Sequence, residues 1–175
     1  MGDQLEGVYY SLADYAGFGR RLLILTIDGV LLFLAFITLL ALYGFAMGPG
    51  SSIHLFMASY AVLCFMYLAV LARSRMGTIG YKLTGVRVVD LSGKRPSLAC
   101  MTYRSLFAVL GPFNALLDLI WLSGDPYRQG LRDKLAGTYI IRRGAEPEGV
   151  GLQKHVMITL GWWSLLVREV TRKVT

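Results

Sequence analysis

Residues 22–43 are LLILTIDGVLLFLAFITLLALY, and Asp28 is the only charged residue among them. As a helix this run is about 33 Å long at 1.5 Å per residue, enough to cross a hydrocarbon core of about 30 Å. Residues 53–72 form a second apolar run of similar length, and the link at residues 44–52 carries no charge. The two runs therefore predict a transmembrane helical hairpin.

The composition also indicates a membrane location. Of the 175 residues, 55% are hydrophobic and 17% are charged, and the mean hydropathy is +0.53. These values are too apolar for a soluble domain, and the length fits one domain, so a soluble enzyme with separate lobes is excluded. The net charge is +7, but the Lys and Arg residues avoid the apolar runs. They indicate loops facing anionic headgroups and no nucleic-acid interface.

The basic residues also predict an orientation. The link at residues 44–52 contains no Lys or Arg, whereas seven such residues lie between residues 73 and 104. Positively charged loops tend to stay in the cytoplasm. We therefore expect a multi-pass protein of the inner membrane with a cytoplasmic N-terminus and an external link.

A third apolar run, residues 105–122, is shorter and is interrupted by Gly111-Pro112. Proline ends or kinks a helix because its ring clashes with the preceding turn. A full crossing also places the many later Lys and Arg residues outside, against the positive-inside rule. The sequence favours a broken or re-entrant segment that keeps the C-terminus cytoplasmic, and a full crossing is the alternative.

Two acidic residues fall within these apolar runs. Asp28 lies two helical turns beyond Arg21, and a charge at the centre of a spanning helix costs about 2.5–3.5 kcal/mol. We expect the Asp28 side chain to face the interior of the helix bundle. Two roles stay open for it: a structural clamp that accepts hydrogen bonds, or a proton or cation site. Asp118 raises the same question more weakly.

Outside the apolar runs, residues 86–89 (VRVV) predict a strand that pairs with residues 138–141 (TYII) on the cytoplasmic side. The tail predicts a linker and then an amphipathic helix, which lies on the cytoplasmic leaflet or, alternatively, packs against a second subunit. The apolar stripe of this helix recurs at spacings of four and three and contains Val156, Leu160, Trp163, Val167, Val170 and Val174. The predicted fold is an all-α membrane protein with a small β element, divided into a membrane domain at residues 1–143 and a tail at residues 144–175.

Three blocks of the sequence resemble the RDD family of small integral membrane proteins. The blocks are YAGFGRRLL at residues 15–23 followed by Asp28, GTIGYKLTGVRVVD at residues 77–90, and RQGLRDKLAGT at residues 128–138. The family is named for an arginine at the start of the first membrane helix and for two aspartates. The resemblance covers about residues 15–143. It maps the arginine to Arg20 or Arg21, the first aspartate to Asp28 and the second to Asp133. It implies a membrane fold, with ion transport and assembly of membrane complexes as the proposed activities.

The same blocks predict a charge network at the cytoplasmic interface. Guanidinium and carboxylate groups form bidentate bonds where water is scarce, and a solvated loop of alternating charges is the alternative. The residues concerned are Asp133 and the cations Arg20, Arg21, Arg128, Arg132 and Lys134.

The sequence contains no HExxH or GxSxG motif and no His/Cys cluster, so we expect no enzyme activity, no cofactor and no metal. Two functions fit the pattern. The chain is either an interaction module within a membrane complex or a subunit for ion- or proton-coupled transport that uses Asp28 as the protonatable group. The expected partners are the lipid bilayer and either further copies of the chain or other membrane proteins.

Overall fold

The computed structural model of this chain describes residues 6–47, 52–109, 112–125, 128–160 and 163–171. Helices and strands both contribute to the fold, so the predicted all-α class is wrong. The helices are α1 (Phe18–Met47), α2 (Ile53–Phe65), a π-helix (Met66–Leu71), α3 (Ile79–Thr84), α4 (Leu98–Val109), α5 (Pro112–Gly124) and α6 (Leu131–Ala136). The strands are β1 (Glu6–Tyr9), β2 (Val86–Asp90), β3 (Thr138–Arg142), β4 (Gly149–Leu160) and β5 (Trp163–Thr171).

Two long apolar helices form the membrane part of the protein. In the described part of the chain, Phe18–Ala46 and Ile53–Leu71 are each long and apolar enough to span a membrane. Only 11% of the most apolar stretch of each helix is buried, so neither is the core helix of a soluble domain. The ring of Phe36 on α1 packs edge-on against Phe56 and Tyr60 of α2, with centroid distances of 5.4 and 5.1 Å. The predicted pair of apolar helices is confirmed.

The third apolar run folds as two separate helices, α4 and α5. Pro112 begins α5, a position where the missing N–H of proline is tolerated, and residues 110 and 111 lie outside the described residues. Each helix is about 18–20 Å long at 1.5 Å per residue, too short to cross a membrane alone. The predicted break in this segment is confirmed.

The predicted β element is also confirmed. Strands β2 and β3 pair antiparallel, with Val88 opposite Ile140. Each strand follows a short helix that ends at a left-handed glycine, Gly85 after α3 and Gly137 after α6. Glycine adopts this conformation without the steric cost that a Cβ imposes, so the chain turns directly from helix to strand.

The C-terminal tail forms strands, and the predicted amphipathic helix is wrong. Strands β4 and β5 pair antiparallel, and β1 pairs with the first four residues of β4. The apolar spacing of the tail fits a helix, but its many β-branched residues, such as Val156 and Val167, favour an extended backbone. Val174, the last residue of the predicted stripe, lies outside the described residues.

Two buried clusters lie on opposite faces of β3, because side chains alternate along a strand. The β2–β3 ribbon thus joins the membrane helices to the three-stranded sheet. The first cluster contains Ala16, Ile24, Ala69, Ala72, Tyr81, Val86, Val88, Met101 and Ile140. The second contains Tyr10, Tyr15, Val89, Leu91, Tyr139, Ile141, Ala145 and Val170.

Candidate functional site

Asp28 holds α1 against the polar segment that follows the second apolar helix. Its carboxylate accepts hydrogen bonds from the hydroxyls of Tyr67 and Thr78, both at 2.7 Å, and from the amide of Gly80 at 2.8 Å. Tyr67 lies in the π-helix, a distortion that is often found at functional sites. The side chain is buried and its oxygens are occupied by donors, which is the arrangement of the predicted structural clamp.

Asp133 lies between two buried arginines. Its carboxylate accepts from Arg21, at the start of α1, and from Arg104 on α4. Arg21 also donates to the carbonyls of Ala16 at 3.0 Å and Arg128 at 2.9 Å. Three helices that are far apart in sequence therefore meet at one carboxylate, and we call Arg21, Arg104 and Asp133 the charge cluster.

The charge cluster fixes the ionisation of its members. Burial alone raises the pKa of the Asp133 carboxyl, but the charges of Arg104 and Arg21 outweigh burial and hold this pKa well below its ordinary value. Burial likewise lowers the pKa of Arg104, and the Asp133 charge more than offsets it, so this pKa is raised. All three side chains are at most 4% exposed, so the attraction is little screened by water.

Asp118 forms a second, adjacent ion pair. Its carboxylate accepts from the backbone amide of Arg132 at 3.0 Å, and Nε of Arg132 lies 2.9 Å from the other oxygen. That N–H does not point at the carboxylate, so the contact is an ion pair without a hydrogen bond.

Lys134 connects the same short helix to the C-terminal sheet. Its ammonium pairs with Asp125, just after α5, and with Glu169 of β5. Burial lowers the pKa of Lys134, but the bonds to the two carboxylates outweigh burial and raise it. α6 is therefore tied by charge to the membrane helices on one side and to β5 on the other.

A small cavity lies beside Asp28 and extends to Arg104 of the charge cluster. It has a volume of about 190 Å³ and is lined by residues of α1, the π-helix, α3, α4 and α6, with Asp28 and Thr78 on its wall together with Arg104 and Arg132. Nη2 of Arg104 is buried and has no hydrogen-bond partner among the described residues. The cavity wall is mostly apolar, but it includes Arg104, and the space is large enough for ordered water beside this side chain.

Some of the predicted site residues make side-chain contacts in the two buried sites, and others do not. Of the two candidate arginines, Arg21 is the member of the charge cluster, while Arg20 is half-buried and makes none of the cluster's contacts. Arg128 contributes through its backbone carbonyl, and its φ of +50° is unusual for a residue other than glycine. Asp28 and Asp133 occupy separate contacts: Asp28 lines the cavity, whereas Asp133 binds Arg104, which lines it.

Arg104 is absent from the predicted site, although it is central to the charge cluster. From the sequence alone, Arg104 is included only among the basic residues that predict the orientation of the chain in the membrane. A signal was present, because Arg104 directly precedes the third apolar run just as Arg21 directly precedes the first. Within the described residues, no group of three or more His, Cys, Asp or Glu side chains is placed to hold a metal ion.

Comparison with known families assigns residues 15–137 to the RDD family. No curated protein and no solved structure matches the chain. The matched range contains Arg21, Asp28, Arg104, Asp118 and Asp133, and therefore the whole set of buried charges described above. Since it also covers well over half of the 175 residues, the chain belongs to the RDD family.

Proposed function

We propose that this protein is a non-enzymatic interaction module of the inner membrane, with cytoplasmic termini, that docks onto a second copy or another membrane protein. The observation that carries the proposal is an exposed apolar pair, Met157 and Leu166, in the outer half of the β4–β5 hairpin. Beyond Leu152, β4 has only β5 as a neighbour among the described residues. Met157 and Leu166 pair across the hairpin and are 67% and 60% exposed. Apolar surface of this kind, outside the spanning helices, is typical of an interaction site.

The base of the hairpin packs against the rest of the protein, which supports a docking role. Val167 and Val170 are buried, and Glu169 pairs with Lys134 of α6. These contacts connect the hairpin to α6, the helix that carries Asp133. A preorganised surface loses less conformational entropy on binding than a mobile one.

The test is the molar mass of the full chain in mild detergent, measured by light scattering, together with crosslinking. We expect the wild type to be larger than a monomer or to retain a partner. The double variant Met157→Glu/Leu166→Lys leaves the net charge unchanged and should release the partner, because it puts charge into an apolar contact.

A matched control changes charge at two exposed positions away from the hairpin end. Arg142→Glu/Glu146→Lys also leaves the net charge unchanged and should keep the partner. A wild type that is strictly monomeric and free of partners would refute the proposal. An unchanged assembly with weaker lipid association of the hairpin variant would assign the hairpin to the membrane surface instead.

The second candidate function, transport coupled to Asp28, has support in the cavity beside that residue. The three donors on Asp28 favour the clamp, since they fill most of the carboxylate's four acceptor positions and leave little capacity for a mobile ion. Proteoliposomes with a pH or sodium gradient separate the two functions. The interaction module predicts no flux from the wild type, whereas a transport subunit predicts flux that Asp28→Asn abolishes.

A further inference from the structure

A basic groove lies where the second apolar helix ends. The groove has a volume of about 410 Å³, which is within the range of about 300–1,000 Å³ typical of ligand sites. Its walls come from the residues after the π-helix, from β2, from the turn after β2 and from the residue after β3. It carries six cations and no acidic side chain: Arg73, Arg75, Arg87, Lys94, Arg95 and Arg143.

Backbone carbonyls position part of this cationic lining. Arg73 donates from Nε to the Pro96 carbonyl at 2.7 Å, and Arg143 donates to the carbonyls of Val86 and Met76 at 3.3 and 2.6 Å. Within the described chain, none of the six cations is part of a salt bridge. Their positive charges are therefore held together without the carboxylates that neutralise the arginines of the charge cluster.

The position of the groove along the second apolar helix indicates its depth relative to the lipid bilayer. The apolar helix that is long enough to span a membrane ends at Leu71, and Arg73 is two residues further on. A lipid phosphate group lies at this level, between the hydrocarbon core and water. Guanidinium groups bind phosphate through paired, charge-assisted hydrogen bonds.

From these observations we infer that the groove binds a phosphate group, with the headgroup of an anionic phospholipid as its source. A soluble phosphate compound carries the same chemistry, but it has to reach a site that opens beside the lipid headgroups. The inference goes beyond the docking proposal, because the groove shares no residue with the end of the β4–β5 hairpin.

The test measures binding by calorimetry on the purified full chain in nonionic detergent. The probes are short-chain phosphatidylglycerol, short-chain phosphatidylcholine and inorganic phosphate. We expect phosphatidylglycerol to bind and phosphatidylcholine to bind at least about tenfold more weakly, since only the first has a net negative charge. Binding of inorganic phosphate that displaces phosphatidylglycerol would keep the site and assign it to a soluble ligand.

The variant Arg75→Gln/Lys94→Gln/Arg95→Gln tests the groove itself. These three exposed side chains make no hydrogen bonds within the described protein, so the fold should survive their removal, which circular dichroism checks. The control Arg142→Gln/Lys154→Gln/Arg168→Gln removes the same charge from exposed positions outside the groove.

We expect the groove variant to lose about tenfold or more in affinity for phosphatidylglycerol and the control to lose little. Equal losses of affinity in the two variants would show that binding depends on the net charge of the protein and not on the groove, and would overturn the inference. Equal binding of the two lipids by the wild type would overturn it as well.

Discussion

Asp133 is the carboxylate whose loss we expect to destabilise the described part of the chain most, because two buried arginines pair with it. Removing one partner of a buried ion pair leaves an uncompensated charge and costs about 3–5 kcal/mol. We expect Asp133→Asn to lower the thermal unfolding temperature in detergent strongly. Replacing all three members by apolar residues, Arg21→Met/Arg104→Met/Asp133→Leu, should cost less than the single change. A single change that is milder than the triple change would contradict this account of the cluster.

The pH dependence of stability follows from the same residue. Burial raises the pKa of Asp133, but Arg104 and Arg21 lower it further, so the folded value is below the unfolded value. Such a group stabilises the fold above the ordinary carboxyl pKa of about 4 and loses that contribution as the pH falls towards the folded pKa. We expect the wild-type unfolding temperature to fall more steeply below about pH 4 than that of Asp133→Asn. Parallel curves would show that other carboxylates dominate acid unfolding.

At the scale of the elements, two short helices are anchored in the same way. Asp28 of α1 accepts the amide of Gly80 near the start of α3, and Asp118 of α5 accepts the amide of Arg132 near the start of α6. Each carboxylate thus satisfies a backbone N–H that has no partner within its helix. Both short helices then end at a glycine and lead into a strand of the β2–β3 ribbon. The ribbon is positioned from both ends by acidic residues, one on the membrane helix α1 and one on α5.

This anchoring predicts a steric requirement at Gly80. A Cβ there would lie 2.8 Å from Oδ1 of Asp28 and 2.9 Å from its Cγ, too close for unstrained contact. Gly80→Ala should destabilise the protein by about 1–3 kcal/mol, the usual cost of overpacking. The control is Gly44→Ala on α1, where a Cβ meets open space and alanine favours the helix by about 0.5–1 kcal/mol. Equal unfolding temperatures for the two variants would show that α3 moves away from Asp28 at little cost.

The elements also show how far the sequence determines the fold. The apolar helices and the break near Pro112 depend on local hydropathy and backbone chemistry, so they are visible in the sequence. The tail is not, because its apolar spacing also fits a helix, whereas its strand structure depends on the pairing of β4 with β5 and on the pairing of the start of β4 with β1, about 140 residues earlier in the chain. The charge cluster was only partly predictable for the same reason. A network that joins Asp133 to Arg20 or Arg21 is predicted because these motif residues are expected at the same membrane interface, but Arg104 joins the cluster through the packing of α4 on α6.

At the scale of the molecule, the first and last parts of the chain are expected on one side of the membrane. The amide of Glu148 donates to the Tyr9 carbonyl at 2.9 Å, and β1 pairs with β4. The excess of Lys and Arg after the second apolar helix predicts that this side is cytoplasmic.

Impermeant thiol reagents test this orientation in intact cells, in a background where Cys64 and Cys100 are replaced by alanine. Ser52→Cys, at the end of the link between the apolar helices, should be labelled. Glu148→Cys should react only after the membrane is permeabilised. Labelling of Glu148→Cys in intact cells would reverse the orientation of the whole sheet assembly.

The members of the charge cluster are synthesised at different times during translation. Arg21 leaves the ribosome 112 residues ahead of Asp133, and at about 5–20 residues per second the carboxylate follows on the order of ten seconds later. During that interval the first two helices enter the bilayer while Arg21, and then Arg104, lack their common acid. A chain whose translation stops between residues 104 and 133 contains both arginines but not the carboxylate that pairs with them. Unfinished and finished chains therefore differ in whether these two charges are neutralised.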